Sequence, residues 1–104
     1  MGLRIEIVMD ITSFLQHKKA RKGVEFVVTM ISISPNGEKY ETECCVVINE
    51  NISRESFEIV FMDDFVRPHI GNYVIMDFLY LKEIAFENGM LKFETSSGFA
   101  ITLN

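Results

Sequence analysis

The sequence predicts a mainly β, antiparallel domain, or an α+β one with one or two short helices. Three observations predict it. Asn88-Gly89 stands between two alternating apolar runs. Val24 to Asn49 reads as a long two-stranded ribbon folded at Pro35-Asn36-Gly37-Glu38. Leu3 to Thr12 alternates apolar and polar residues. A chain of 104 residues can bury one core without disulfides or metal. The expected architecture is a single domain over residues 1–104, a β-sandwich or a partly open barrel ending in a three-stranded meander.

Leu3, Ile5, Ile7, Met9 and Ile11 share one parity, and Arg4, Glu6, Val8, Asp10 and Thr12 share the other. That pattern predicts a half-buried strand. Ser13 to Gly23, SFLQHKKARKG, predicts one short helix. Ser13 and Gln16 fit a capping box, Gly23 fits the stop, and Phe14 and Leu15 are the anchors. The alternative is a long basic hairpin loop. Basic residues at the end of such a helix suit its dipole.

Counting the ribbon's loop as two or four residues sets Ser34 opposite Lys39, Ile33 opposite Tyr40, Ile31 opposite Thr42, Thr29 opposite Cys44 and Val27 opposite Val46. One face is then mostly apolar. The other carries Phe26, Val28, Met30 and Ser32 against Val47, Cys45, Glu43 and Glu41. It is polar near the turn and apolar near the base, so the base is expected to be buried on both sides.

Glu50 to Ser56 reads as a polar connection. Phe57 to Met62 is assigned to a strand because β-branched and aromatic residues dominate it; the alternative is a helix capped by Ser53. Asp63 to Asn72 is a loop holding Arg67-Pro68. Tyr73 to Leu81 is expected to be a strand buried on both faces except near Asp77. It leads into the meander.

Asn-Gly suits a type I′ turn, which needs φ > 0 at both central residues. A two-residue loop there pairs Glu87 with Met90, Phe86 with Leu91 and Ile84 with Phe93. Ser96-Ser97-Gly98 is read as a three-residue loop with Gly98 left-handed. It pairs Thr95 with Phe99, Phe93 with Ile101 and Leu91 with Leu103. A two-residue loop would set Glu94 against Ile101 and mix the faces. Phe86, Leu91, Phe93 and Ile101 are all expected to be buried.

The net charge is −5, but Lys18, Lys19, Arg21 and Lys22 lie within five residues. The other six basic residues face fifteen acidic ones. General affinity for nucleic acid or an anionic membrane is therefore disfavoured, and a basic protein partner is permitted. Met1 to Glu6 is too charged for a signal peptide, and no apolar run reaches membrane-spanning length. A soluble, cytoplasmic protein is expected. Cys44 and Cys45 are neighbours, so a strand points them to opposite faces. They read as free thiols, at least one of them buried.

Candidate chemistry is sparse. Asp63, Asp64 and His69 share one loop, but their spacing matches no known metal site. No hydrolase motif, phosphate loop or dinucleotide fingerprint accompanies His17 or His69. No catalytic residue, metal or cofactor is assigned. Asp77 among tyrosines is the one candidate for an enzyme or small-ligand site. Lys18, Lys19, Arg21 and Lys22 are the candidate anion-binding or nucleic-acid contact, although no aromatic residue is interleaved among them.

What remains is a non-enzymatic protein-binding module. Its candidate contact residues are Glu38, Glu41 and Glu43, with Ser32 and Ser34 beside them. In size and charge the chain is similar to small acidic inhibitors, such as immunity and counter-defence proteins, although no motif carries that similarity. A homodimer hiding one sheet edge is also expected.

Overall fold

The computed structural model describes residues 5–51, 56–70, 74–76, 81–95 and 97–104. Among the described residues one α-helix, α1 (Ile5–Lys18), precedes seven strands: β1 (Phe26–Ile33), β2 (Lys39–Asn51), β3 (Ser56–Phe61), β4 (Val74–Met76), β5 (Leu81–Glu87), β6 (Met90–Thr95) and β7 (Ala100–Leu103). All pairings are antiparallel, in the order β4-β3-β2-β1-β7-β6-β5. β4 is only three residues long, so six longer strands make up most of the sheet.

The order joins two meanders. β1 to β4 form one, β5 to β7 form the other, and β1 pairs with β7 to connect them. Six antiparallel pairings separate the edge strands β4 and β5, so those two strands point the same way. They are also consecutive in the chain. The link from Met76 to Leu81 can span at most roughly 18 Å. The sheet must therefore curl until its edges approach each other. The result is one curled half-barrel layer, the partly open barrel alternative, and not two stacked sheets.

Residues of alternating parity fill the concave side. Val28 and Met30 of β1, Cys44, Val46 and Ile48 of β2, and Phe57, Ile59 and Phe61 of β3 are buried. So are Leu91 and Phe93 of β6 and Ile101 and Leu103 of β7. Ile7, Ile11, Phe14 and Leu15 of α1 close over this face and join the same core. The helix lies against β5 and β6. Phe14 meets the rings of Phe26 and Phe86 at 6.1 and 6.3 Å.

Of the N-terminal strand expected over Leu3–Thr12, the described residues Ile5 to Thr12 are instead the body of α1, and Leu3 and Arg4 lie outside the described residues. Ile7 and Ile11 are four residues apart, and that spacing keeps two residues on one face in either periodicity. Met9 separates the two cases. A strand would bury it with Ile7 and Ile11, and in α1 it is 62% exposed. Phe14 and Leu15 continue the helical stripe. Ser13 is thus an interior helical residue and not a cap. The helix stops earlier than Gly23. Lys19 is left-handed (φ 56°), with Lys19 N donating to Gln16 O and Ala20 N to Leu15 O. This is a Schellman closure with lysine in the position glycine usually takes.

The ribbon register also differs, by one residue. Ile33 pairs with Lys39, Ser32 with Tyr40, Ile31 with Glu41, Met30 with Thr42, Thr29 with Glu43 and Val28 with Cys44. The physical cause is the loop. Gly37 N donates to Ser34 O, Ser34 N to Glu38 O, and Gly37 is left-handed at φ 87°. Pro35-Asn36-Gly37 is thus a three-residue loop. β2 keeps its expected inward residues, Tyr40, Cys44 and Val46, but β1 is turned over. Val28, Met30 and Ser32 face the core, while Val27, Thr29, Ile31 and Ile33 face out. Val27 is 49% exposed, so among the described residues the ribbon's base is not buried on both sides as expected.

The meander matches its expected pairs throughout, from Glu87 with Met90 to Leu91 with Leu103. Asn88 and Gly89 have φ of 54° and 77°, as a type I′ turn requires. Leu91, Phe93 and Ile101 are buried, whereas Phe86 is only half-buried beneath α1. Phe57 to Phe61 is a strand as expected, with Phe57, Ile59 and Phe61 inward. Of the strand expected over Tyr73–Leu81, the described residues give β4 and the first residue of β5; Tyr73 and Asp77 to Tyr80 lie outside them.

Candidate functional site

The outer, convex face of β1 to β3 is where the predicted contact residues can be tested for proximity. Glu41 and Glu43 alternate outward on β2, and both are exposed. Glu41 stands opposite Ile31 and Glu43 opposite Thr29. Lys39 approaches Glu41 at 3.8 Å on the same face. Glu38 is exposed at the tip. Ser34 belongs to the turn itself. Its hydroxyl accepts from Glu38 N at 3.0 Å and is hydrogen-bonded to Asn36 Oδ1. Ser32 is not part of this surface. The corrected register turns it inward, where it is 2% exposed.

In place of Ser32 and Met30, β1 presents apolar side chains outward. Val27 is 49% exposed and Ile33 42%. Val27 pairs directly with Cys45. Met62, which is 42% exposed, continues the row, because Met62 N donates to Cys45 O at 2.9 Å. Val47 and Val60 form the next row out, and both are half-buried. Phe65 follows in the loop, 54% exposed. The sequence reading missed this apolar surface. The signal that could have found it is Pro-Asn-Gly read as a three-residue loop.

Carboxylates ring the row. Asp63 Oδ2 accepts from Cys45 N at 2.8 Å. Burial, a hydrogen bond to Glu25, and the charges of Glu25, Asp63 and Glu43 together raise the Cys45 thiol above its usual range. On the inner side, burial first and then Asp63, Cys45 and Glu43 push the Cys44 thiol up to about 11. Both thiols are free, and the upward shift lowers the thiolate fraction of each.

The other sequence candidates separate in space. Asp63 is committed to Cys45, Asp64 pairs with Arg67 at 3.5 Å, and His69 stacks on Tyr40 with centroids 3.8 Å apart. Among the described residues no three His, Cys, Asp or Glu side chains are grouped to hold a metal. Lys18 ends α1, Lys19 makes its left-handed stop, and Arg21 and Lys22 are exposed beyond it. Lys22 is bound to Glu50 at 2.7 Å. His17 packs over Phe86 at 6.0 Å. Asp77, the centre of the ligand-site alternative, lies outside the described residues. The outer side of β5 to β7 holds an open depression of about 390 Å³, lined by Ala85, Ala100, Glu87, Lys92 and Glu94 among others. It forms where Ala85 and Ala100 stand among longer side chains.

No family model matches the chain, and no curated protein and no solved structure is significantly similar to it. Among the described residues no helix is long and apolar enough to cross a membrane.

Proposed function

We propose that this chain is a non-enzymatic protein-binding module of the inhibitor or immunity kind, and that it engages a basic protein partner through the outer face of the β1–β2 ribbon. One observation carries the reading. Glu41 and Glu43 project together from the face that also exposes Val27 and Ile33. An apolar centre with a charged rim is the usual build of a protein contact surface. Like charges side by side on a strand cost stability, so an acidic pair is easier to understand if it meets a basic partner. Such carboxylates accelerate encounter more than they add affinity.

The test needs a partner isolated on the wild-type chain. Reversing both charges, Glu41→Lys with Glu43→Lys, should slow association at low salt, and the deficit should shrink as salt rises. If that variant associates at the wild-type rate while reversal of Lys18, Lys19, Arg21 and Lys22 abolishes binding, the basic stretch is the working face. Turnover of a small molecule in place of partner binding would sink the reading altogether.

A further inference from the structure

At the base of the ribbon the described residues cover the inner face, while on the outer one Val27 is 49% exposed. On the outer one, Val27 of β1, Cys45 of β2 and Met62, the residue that follows β3, form a row, and Phe65 stands exposed three residues further along the chain. Contiguous exposed apolar surface with a polar rim marks an interaction site. Its rim is negative. Glu25, Asp63 and Glu43 all act on the Cys45 thiol at the centre of the row. Among the described residues, Lys39 is paired with Glu41, Lys22 with Glu50 and Arg67 with Asp64.

From this charge pattern we infer that the Val27–Cys45–Met62 row is the apolar centre of the docking surface, and that its occupant is a protein segment presenting apolar side chains flanked by lysine or arginine. The inference rests on the binding-module reading and adds the location and the chemistry of the partner. A second copy of the chain does not fit. A two-fold contact through this face would set the acidic rim of one copy against the acidic rim of the other, and like charges across an interface are strongly disfavoured. A basic-flanked segment meets the same carboxylates as complements. The aromatic ring of Phe65 supplies an anchor of the type that dominates interface energetics.

The Cys45 thiol reports on the site without any substitution. The probes are immobilised and free synthetic peptides with a Leu/Phe centre flanked by Lys/Arg, by Ser/Gln or by Asp/Glu. The wild-type chain should bind the basic-flanked set. At saturation, alkylation of Cys45 should slow about tenfold or more, the margin expected when an interface centre is covered. Val27→Thr and Met62→Gln should each weaken binding by about tenfold. Glu25→Lys should reverse the preference among flanking charges. Protection of Cys45 together with slower association of the Glu41→Lys/Glu43→Lys variant at low salt supports this surface as part of the same binding face. Three results would overturn the inference. One is binding indifferent to flanking charge. Another is bound peptide with Cys45 still fully reactive. The third is sedimentation showing a dimer that Val27→Thr dissociates, which would make the occupant a second copy.

Discussion

Ser34 to Glu38 and Thr95 to Phe99 make the same turn. In each the first residue's N–H donates to the carbonyl of the fifth, the glycine N–H donates to the first carbonyl, and the first hydroxyl accepts from the fifth N–H. Gly37 and Gly98 sit at φ 87° and 93°. The two turns even lie side by side, since β1 and β7 are neighbours and a Cβ on Gly98 would come 3.2 Å from Pro35 Cγ. Yet one hairpin could be read from its residues and the other could not. The difference is in the strands. β6 and β7 carry Lys92, Glu94 and Thr102 on one parity and apolar residues on the other, so only one register keeps the faces apart. β1 is FVVTMISI, apolar on both parities, and its pattern accepts either register. What makes β1 illegible is also what leaves Val27 and Ile33 on the outside.

The largest expected effect tests the legible half. Phe93 is 4% exposed and faces Ile84 and Ile101 across its two neighbours. Phe93→Ala should cost about 3–5 kcal/mol in urea unfolding. A loss below about 1 kcal/mol would mean that the meander's apolar face is not the core.

The helix offers the next contrast. Ile11→Ala should cost about 2–5 kcal/mol, because Ile11 is buried against the sheet. Met9→Ala, two residues away, should stay within about 0.5 kcal/mol. Equal costs would restore the strand that the alternation of Leu3 to Ile11 suggests. That stretch was illegible for a definite reason. Its β-branched residues favour a strand, its i, i+4 pair fits both periods, and only packing of the Ile7–Ile11–Phe14 stripe against β5 and β6 decides for the helix.

The candidate site was legible in part. Glu41 and Glu43 were placed on the correct face of β2, because Tyr40, Cys44 and Val46 are unambiguous inward residues. Their neighbours on β1 were not, since that required the loop length. Val→Thr substitutions test the corrected register directly, being nearly isosteric. Val28 is 1% exposed, so Val28→Thr buries a hydroxyl and should cost about 1–3 kcal/mol. Val27→Thr should change stability by no more than about 0.5 kcal/mol, although it should weaken peptide binding. The reverse ranking would reinstate the shifted register and place Val27 in the core.

The smallest effect separates the two turns from each other. Both glycines are left-handed, so alanine at either should cost about 1–2 kcal/mol from the backbone alone. Their surroundings differ. A Cβ on Gly37 meets nothing within 4 Å, whereas one on Gly98 presses on Pro35. Pro35 is a ring with a fixed φ and can give way only by moving its own turn. Gly98→Ala should therefore cost more than Gly37→Ala, by a few tenths to about 1 kcal/mol. The comparison becomes decisive in the double variant Gly98→Ala with Pro35→Ala, which removes the crowded Cγ. If the excess at Gly98 comes from that contact, it should vanish in the double-mutant cycle, leaving two turns of equal cost. If the excess persists, the turns do not support each other, and the strain at Gly98 belongs to β6 and β7 alone.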